Sequence, residues 1–451
     1  MDVKETFRTY LSEAIGSDNA LVAFSAFESP ASVSVRLNPY KPSGNVSGKT
    51  VEWNPHGRIL SQRPSFTLDP AFHAGAYYVQ DSSSMFVGHV FRRMLENMEL
   101  PQERPVRVLD LCAAPGGKTT DIAASLREKF GDRFLLVANE VMKARVGVLA
   151  ENVARWGDPN VVVTGNDPRD FAALRGFFDV IVADVPCSGE GMFRKDEQAR
   201  ELWSEDNVAL CVARQRRIVA DVWPALAGGG VFVYSTCTFN RYENDGNVKW
   251  IAEELGGSVC RDDMSCGGAL RTECGYSLVP GFVEGEGQFC AALVKESEDS
   301  WTECRQDSRR GAAPEDAALK GLFSCEVVLR PVRDMITAVP AVIYGYVSLL
   351  EKKLHVVAAG CAAGVRKGKT FVPDADLALS LMLSDSAYPS VEIDRKTALE
   401  FLHRDAVVLT GAPSGYIIVR YAGLPLGFVK NLGTRCNNLY PQSRRIRMEI
   451  K

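Results

Sequence analysis

The fold is decided by the stretch Val106-Arg107-Val108-Leu109-Asp110-Leu111-Cys112-Ala113-Ala114-Pro115-Gly116-Gly117-Lys118-Thr119. Its apolar first part predicts a short strand, and its second part predicts a glycine-rich turn that opens a helix. Glycines in such a turn let the backbone approach a ligand closely. The first turn of a helix also carries N–H groups without partners inside the helix. The stretch therefore predicts a ligand site at a strand end, with an ordinary strand-to-helix turn as the alternative for this motif alone.

The Gly-Lys-Thr that closes this turn is not a phosphate-binding P-loop. A P-loop needs a glycine six positions before its lysine. That position is occupied here by Cys112, which excludes a P-loop ATPase. The turn also lacks Gly-x-Gly-x-x-Gly, which argues against a nicotinamide dinucleotide as the ligand.

Short apolar runs alternate with helical patterns between residues 105 and 295. The predicted strands are Val106–Leu111, Phe134–Ala138, Val161–Thr164, Val180–Ala183, Val231–Tyr234 and Gln288–Val294. Such alternation is typical of an α/β protein with a parallel, doubly wound sheet, whose ligands bind beyond the carboxyl ends of the strands. We expect an N-terminal α+β region at 1–100, the α/β domain at 101–295, a polar linker at 296–319 and a β-rich C-terminal region at 320–451.

Acidic residues follow the second and third predicted strands. Glu140 stands where a carboxylate can accept hydrogen bonds from both ribose hydroxyls, although its neighbour Asn139 could also take that role. Asp167 could meet an adenine amino group. The alternatives are a helix N-cap for Glu140 and a turn aspartate for Asp167. Together with the glycine-rich turn, these strand ends predict a pocket for an adenosine-containing ligand.

Two cysteines stand at the ends of the fourth and fifth predicted strands. Cys187 lies in Asp184-Val185-Pro186-Cys187, and Cys237 lies in Ser235-Thr236-Cys237-Thr238. Methyltransferases that act on exocyclic amines typically carry Asn/Asp-Pro-Pro-aromatic at the first of these places. Carbon 5 of a pyrimidine is a poor nucleophile, so a thiolate must first add to carbon 6 and later be eliminated. Two thiols suit this chemistry, whereas a buried structural thiol is the alternative for either cysteine alone. The residues alone do not order the two thiols.

The chain resembles the Sun/Fmu-type RNA cytosine carbon-5 methyltransferases through roughly residues 30–295. The resemblance is carried by Asp110–Thr119, Asp184–Gly191, Ser235–Thr238, Glu243-Asn244, Arg36-Leu37-Asn38 and Gln80–Met85. Two further stretches, Gly423–Phe428 and Asn438–Pro441, resemble the RsmF-type bacterial branch of that family. Members of this branch methylate small-subunit ribosomal RNA and end in a PUA-like RNA-binding module.

The resemblance implies a Rossmann-like S-adenosylmethionine-dependent methyltransferase domain and a role for each motif. The methionine and ribose parts of S-adenosylmethionine would be held by Cys112, Ala113, Ala114, Pro115, Gly116, Gly117 and Lys118. Glu140 would bind the ribose hydroxyls and Asp167 the adenine. Asp184 would lie beside the methyl donor and the edge of the cytosine ring. Cys237 would be the nucleophile, following the family, and Cys187 would assist elimination and release.

Other basic and aromatic residues are candidates for RNA contacts. Phosphates could be bound by Arg194-Lys195, Arg214-Gln215-Arg216-Arg217 and Arg444-Arg445-Ile446-Arg447, although charge runs on helices are more often solvated faces. Tyr77, Tyr78 or Phe193 could stack on a flipped base, but core packing is the commoner role for such side chains.

Composition limits the remaining possibilities. The chain has 451 residues, of which 46% are apolar and 24% charged, and a net charge of −4, which argues only against delocalised binding of nucleic acid. No apolar run approaches the ~20 residues that a membrane span needs. The N-terminus lacks the apolar stretch of a signal peptide, so we expect a cytoplasmic protein with reduced cysteines. Without Cys-x-x-Cys pairs, a metal site is not expected.

The sequence thus predicts an enzyme that methylates carbon 5 of cytosine in RNA, and the expected substrate is 16S ribosomal RNA or the small ribosomal subunit. We expect S-adenosylmethionine as the cofactor, a monomer, no membrane association and no metal. The same chemistry on transfer RNA is one alternative. A ribosome-assembly factor that binds RNA with little turnover is another.

Overall fold

The structure, a computed structural model, describes residues 5–43, 46–99, 101–302, 317–368 and 370–450. Its helices are α1 (Glu5–Ile15), α2 (Ser17–Phe27), α3 (Pro70–His73), α4 (Phe86–Asn97), α5 (Gly117–Phe130), α6 (Lys143–Trp156), α7 (Glu197–Leu202), α8 (Glu205–Val222), α9 (Asp245–Leu255), α10 (Ala317–Lys320), α11 (Ala341–Lys353), α12 (Ala375–Leu379) and α13 (Arg395–His403). Among the described residues, no helix combines the length and apolar character needed to cross a membrane.

The strands form one large sheet and three small ones. They are β1 (Val33–Leu37), β2 (Lys49–Val51), β3 (Asn54–Leu60), β4 (Tyr77–Val79), β5 (Val106–Asp110), β6 (Phe134–Asn139), β7 (Val161–Thr164), β8 (Phe178–Asp184), β9 (Leu226–Thr236), β10 (Gly257–Val259), β11 (Leu270–Arg271), β12 (Tyr276–Leu278), β13 (Gln288–Lys295), β14 (Val327–Val332), β15 (Met335–Pro340), β16 (Val356–Ala359), β17 (Cys361–Lys367), β18 (Thr370–Pro373), β19 (Ser390–Glu392), β20 (Gly415–Tyr421), β21 (Leu424–Asn431) and β22 (Cys436–Asn438).

The large sheet has the order β11-β12-β13-β9-β8-β5-β6-β7-β16, with β10 paired to β13. Its centre, β9-β8-β5-β6-β7, is parallel, and β13 and β16 join it antiparallel at the two sides. Every strand predicted between residues 105 and 295 is present, with ends shifted by a few residues. The predicted α/β fold class is confirmed.

Both faces of this sheet are covered, which explains why its strands are almost continuously apolar. Along β5 the side chains alternate: Leu109 packs into one core, and Val106 and Val108 pack into the other. Helices α4, α5 and α6 cover the second face, while α8, α9 and α11 cover the first. The loops at the carboxyl ends of the strands are left to form a site.

The N-terminal sheet, ordered β2-β3-β1-β4, is fastened to the helix that follows the glycine-rich turn. The contact is made by Arg36 on β1, whose side chain is fully buried. Its Nη2 donates to the Gly117 carbonyl at 3.1 Å and to Thr120 Oγ1 at 2.5 Å. Its guanidinium also lies 4.7 Å from the centre of the Trp156 ring. The Arg36-Leu37-Asn38 motif therefore holds the start of α5 in place.

The C-terminal region is built into the large sheet. Strand β16 extends the sheet beside β7, pairing Val356 with Thr164, and α11 buries Ile343, Val347 and Leu350 in the core of the first face. Beyond it lie the sheets β14-β15-β17-β18 and β19-β20-β21-β22. The predicted linker at 296–319 stays a prediction, and its residues 303–316 lie outside the described residues.

The closing basic stretch is only partly available to RNA. Arg444 is 13% exposed and joins the C-terminal region to two helices, with Nη1 2.5 Å from Asp376 Oδ1 and Nε 3.6 Å from Glu151 Oε1. The expectation that this arginine binds phosphate is therefore wrong. Arg445 and Arg447 remain exposed, and Ile446 between them is buried.

Replacing Arg444 by Ala is expected to lower the free energy of unfolding by about 1–3 kcal/mol, because two partly buried carboxylates lose their shared donor. Its neighbour Arg445 is the matched control, since Arg445→Ala removes the same charge from an exposed position and should change stability by less than about 0.5 kcal/mol. Urea denaturation of both variants checks this. Equal stability of the two would show that the Arg444 ion pairs do not hold the C-terminal region.

Candidate active site

The two predicted cysteines meet at the carboxyl edge of the large sheet. Cys187 follows β8 and Cys237 follows β9, and these strands are parallel neighbours. Their Sγ atoms lie 3.2 Å apart, and both side chains are half-buried thiols. The two thiols are therefore within hydrogen-bond distance of each other.

Different charges face the two sulfur atoms. The hydrogen bond to Cys237, burial, and the carboxylates of Glu243 and Asp184 hold the pKa of Cys187 well above its usual range. Burial lowers the pKa of Lys118, but attraction to Asp184 and to Cys237 outweighs it and the net shift is upward. Either thiol can be the donor in their contact, and Cys237 also lies within the field of the Lys118 ammonium group.

Asp184, the last residue of β8, is held by three other elements. Its Oδ2 accepts from Lys118 Nζ at 2.8 Å, and its Oδ1 accepts from Ser235 Oγ at 2.8 Å and Gln288 Nε2 at 3.0 Å. Lys118 also donates to Ser84 Oγ at 2.9 Å. Lys118 thus orients the carboxylate of Asp184.

A buried carboxylate that sequence reasoning left without a role fixes the loop after Cys237. Glu190 is 1% exposed. Its Oε2 accepts from the backbone N–H groups of Phe239 at 2.7 Å and Asn240 at 3.0 Å. Its Oε1 accepts from Trp203 Nε1 and Asn240 Nδ2, both at 2.9 Å. Glu190 thus sets the path of the chain just beyond the second thiol.

Glu243 connects this loop to the one that carries Cys187. Its Oε2 accepts from the Ser188 backbone N–H at 3.0 Å and from Gln215 Nε2 at 2.7 Å, and its Oε1 accepts from Asn240 Nδ2 at 2.8 Å. Burial raises the pKa of Glu243 to about 7. Glu190 and Glu243 both lie in motifs that carry the family resemblance, and this was the signal that could have identified them. Nothing in the sequence pattern shows which N–H groups their carboxylates face.

The glycine-rich turn lies between β5 and α5, next to Asp184. Gly116 caps α5 with a φ of +109°, a conformation that favours glycine. The Pro115 carbonyl accepts from Tyr78 Oη at 3.0 Å and Asn152 Nδ2 at 2.9 Å, and the Ala114 carbonyl accepts from Arg145 Nη2 at 2.5 Å. Groups from β4 and α6 therefore fix the predicted stretch 112–118.

The acidic residues predicted for an adenosine pocket follow β6 and β7. Glu140 is buried, and its carboxylate accepts from the Met142 backbone N–H at 2.9 Å and lies 3.3 Å from Arg145 Nη1. Asp167 caps the turn of helix after it, accepting from the Arg169 backbone N–H at 3.2 Å. The N-cap alternative is not observed for Glu140, because the N-cap of α6 is Met142, whereas Asp167 is engaged locally at the start of the next helical turn.

Asn139, the other candidate for binding the ribose, uses its side chain in hydrogen bonds between strand ends. Its Nδ2 donates to the carbonyls of Leu111 at 3.2 Å and Asn166 at 3.0 Å, and its Oδ1 accepts from Thr164 Oγ1 at 2.9 Å. This side chain joins three strand ends and has no free donor or acceptor. Glu140 is therefore better placed than Asn139 to bind a ribose.

Several residues expected to contact RNA are used inside the protein. Arg194 Nε and Nη2 pair with the buried carboxylate of Glu286 at 2.8 and 3.0 Å, and Gln215 is buried against Glu243. The phosphate-contact prediction is wrong for both. Phe193 packs 5.0 Å from Phe7 between ring centres, as the core alternative has it.

Family models match three parts of the chain. They are described as 16S rRNA methyltransferase RsmB/F over residues 97–294, the N-terminal domain of 16S rRNA methyltransferase RsmF over 4–82, and the methyltransferase RsmF PUA domain over 388–446. Along the chain, the three matches fall in turn on the N-terminal region, the large sheet and the last small sheet.

Whole-chain relatives agree with the family models. Ribosomal RNA small subunit methyltransferase F of Serratia proteamaculans is 33% identical over 391 residues, covering 82% of this chain and 78% of the relative. The protein of that name from Salmonella agona is 31% identical over 477 residues, covering 97% and 95%.

Among solved structures, a methyltransferase homolog from Pyrococcus horikoshii matches with a TM-score of 0.53 and 25% identity, covering 64% of this chain and 94% of its own. NSun6 from Pyrococcus horikoshii with SFG matches in fold, with a TM-score of 0.52, 20% identity and coverage of 65% and 98%. Since the sequence matches run from the N-terminal domain to the PUA domain, the chain belongs to the RsmF family of 16S rRNA methyltransferases and is an RNA methyltransferase.

Proposed function

We propose that this enzyme transfers a methyl group from S-adenosylmethionine to carbon 5 of a cytosine in 16S ribosomal RNA, with Cys237 as the nucleophile and Cys187 assisting its release. The observation that carries the proposal is the 3.2 Å separation of the two sulfur atoms. An amine needs only deprotonation and positioning, so a second thiol has no use in amine methylation. Carbon 5 methylation needs one thiol to add and benefits from another to help it leave.

The surroundings of the two thiols support the order that the family resemblance implies. Attack requires a thiolate. Cys187 faces the carboxylates of Glu243 and Asp184, and its pKa is raised. Cys237 lies within the field of the Lys118 ammonium group, which is attracted to it. The raised pKa of Cys187 and the position of Cys237 near a cation agree with Cys237 as the nucleophile, which the family resemblance also implies.

The covalent steps can be written on the base. The Cys237 thiolate bonds to carbon 6, and the electrons of the carbon 5–carbon 6 double bond make carbon 5 nucleophilic enough to accept the methyl group. Carbon 5 then loses its proton to water. The electrons of that bond restore the double bond, and the bond from carbon 6 to Cys237 breaks. The S–H of Cys187 donates to the departing thiolate, because it holds its proton and lies in hydrogen-bond contact.

Asp184 is the residue that we propose for orienting the base. Its carboxylate is held at the strand end by Lys118, Ser235 and Gln288. A carboxylate in this place can accept a hydrogen bond from the exocyclic amine of cytosine. The contact of Asp184 with the lysine of the glycine-rich turn supports a role next to both the base and the methyl donor.

The residues of the turn fit S-adenosylmethionine, which supplies an electrophilic methyl group when bound. Asp110 is fully buried beneath the turn; its Oδ2 accepts from Thr119 Oγ1 at 2.6 Å, and its Oδ1 has no hydrogen-bond partner among the described residues. Burial raises the pKa of Asp110 to about 7. An unsatisfied buried oxygen suits a ligand that brings donors, such as an amino group.

We assign the stretch 112–118 to the methionine and ribose, Glu140 to the ribose hydroxyls and Asp167 to the adenine. NSun6 with SFG, an analogue of S-adenosylmethionine, supports this choice of cofactor.

Methyl transfer to defined RNA tests the proposal. The enzyme is incubated with methyl-labelled S-adenosylmethionine and either naked 16S ribosomal RNA, assembled small subunits or transfer RNA. We expect the label in ribosomal RNA as 5-methylcytosine, located by bisulfite sequencing and nucleoside mass spectrometry. Label on an exocyclic amine would refute the two-thiol chemistry, and preferential labelling of transfer RNA would refute the substrate.

A further inference from the structure

An aromatic cavity opens beside the glycine-rich turn. It has a volume of about 470 Å³ and lies between the N-terminal sheet and α6. Five aromatic side chains line it: Phe66, Phe72, Tyr77, Tyr78 and Trp156. Tyr77 and Trp156 are buried and form its floor, whereas Phe66, Phe72 and Tyr78 are half-buried and present surface to a ligand. An aromatic cavity of this size suits a flat ring.

The charge of this cavity is positive. Arg63 and Arg155 line it, and no Asp or Glu is among its described lining residues. The Arg63 guanidinium is exposed and lies 5.4 Å from the centre of the Phe66 ring, and that of Arg155 lies 5.0 Å from Phe72. Another cavity, of about 420 Å³ between α6 and β15–β17, is lined by two arginines and four carboxylates. In the aromatic cavity Arg155 pairs with Glu151 at 3.1 Å, whereas Arg63 is exposed and forms no ion pair with a described residue, so Arg63 brings positive charge next to ring surface.

The aromatic cavity shares a wall with the proposed donor site. Tyr78 and Asn152 line the cavity and both donate to the Pro115 carbonyl of the turn. A Cβ built on Gly117 would lie 3.4 Å from Tyr78 Cε1. The cavity therefore adjoins the turn that opens α5 and carries Lys118.

We propose that the aromatic cavity binds an unpaired base of the substrate RNA near the target cytosine, with a phosphate of that strand on Arg63. Single-stranded RNA is held by stacking on aromatic rings and by arginine contacts to phosphate, and this cavity offers both. A target base that leaves its stack needs the adjoining strand fixed. The inference rests on the proposed function for the target base, and on the RNA methyltransferase family for the RNA.

Photo-cross-linking and two point variants of the full chain test the site. The probe is a 12-nucleotide single-stranded RNA with one cytosine and 4-thiouridine on either side of it. We expect a cross-linked peptide from residues 63–79 or 152–156. Arg63→Ala should weaken binding of this RNA about tenfold and lower its salt dependence by about one phosphate contact. Phe66→Ala should weaken it about tenfold through lost stacking. Affinity for S-adenosylmethionine should stay unchanged.

Arg8→Ala is the matched control, because the Arg8 guanidinium lies 4.7 Å from the Phe24 ring on α2, outside the cavity. Equal losses of RNA affinity for Arg8→Ala and Arg63→Ala, or cross-links only outside residues 63–79 and 152–156, would overturn the proposal. If Phe66→Ala fails to fold, the exposed Arg63 carries the test. Retained production of 5-methylcytosine by Arg63→Ala with unchanged RNA affinity would refute the cavity while leaving the proposed function intact.

Discussion

Replacement of Cys187 by Ala is expected to trap the enzyme on its RNA. The variant keeps Cys237 and its neighbour Lys118, so the thiolate can still form and add to carbon 6 of the target base. It loses the S–H that lies 3.2 Å from the Cys237 sulfur and that we propose donates to the departing thiolate. Addition and methyl transfer then continue while release slows, and the covalent adduct accumulates.

The adduct is measured as a slow-migrating band on a denaturing gel after incubation with substrate RNA and S-adenosylmethionine. We expect most of the Cys187→Ala enzyme in this band and almost no turnover. Cys237→Ala should show neither band nor activity, and the double variant should behave like Cys237→Ala. Cys260→Ala is the matched control, because Cys260 is also a half-buried free thiol but lies outside the site. An adduct that persists without Cys237 would reverse the order of the two thiols.

The sequence predicted the centre of this site for a physical reason. Carboxyl ends of neighbouring parallel strands meet at one edge of a sheet. Once the alternation of strands and helices was recognised, Cys187, Cys237, Asp184 and the glycine-rich turn had to lie near one another. The apolar, two-sided strands made that alternation easy to read, and the observed strand ends differ from the predicted ones by only a few residues.

The rest of the site depends on contacts that leave no local pattern. Strand β16 pairs Val356 with Thr164, and nothing in either short stretch specifies a partner so distant in sequence. Charge runs give no information about ion-pair partners, which is why Arg194 and Arg444 were expected to bind phosphate and instead pair with carboxylates. The sequence also does not show what a buried glutamate such as Glu190 binds, because its hydrogen bonds depend on the direction of backbone N–H groups in loops.

Glu190→Gln is expected to be one of the most damaging conservative changes in the chain. Each carboxylate oxygen of Glu190 accepts two hydrogen bonds, and all four partners are N–H donors. A glutamine amide must turn its NH₂ group towards two of those donors, whichever way it is flipped. We expect the free energy of unfolding to fall by about 3 kcal/mol, since hydrogen bonds to a charged group are lost and buried donors are left unpaired.

The same change should slow catalysis, because Phe239 and Asn240, which Glu190 holds, follow Cys237 by only two and three residues. A displacement of the nucleophile by about 1 Å can cost roughly 100-fold in rate. We therefore expect single-turnover formation of the RNA adduct to fall about 100-fold. Affinity for S-adenosylmethionine should stay near that of the unmodified enzyme, because the glycine-rich turn is held by other residues.

Glu205→Gln, an exposed change in the first turn of α8, is the control. If Glu190→Gln matches that control in urea denaturation and in rate, the buried carboxylate does not position Cys237. Loss of stability without loss of rate in the folded fraction would limit Glu190 to folding.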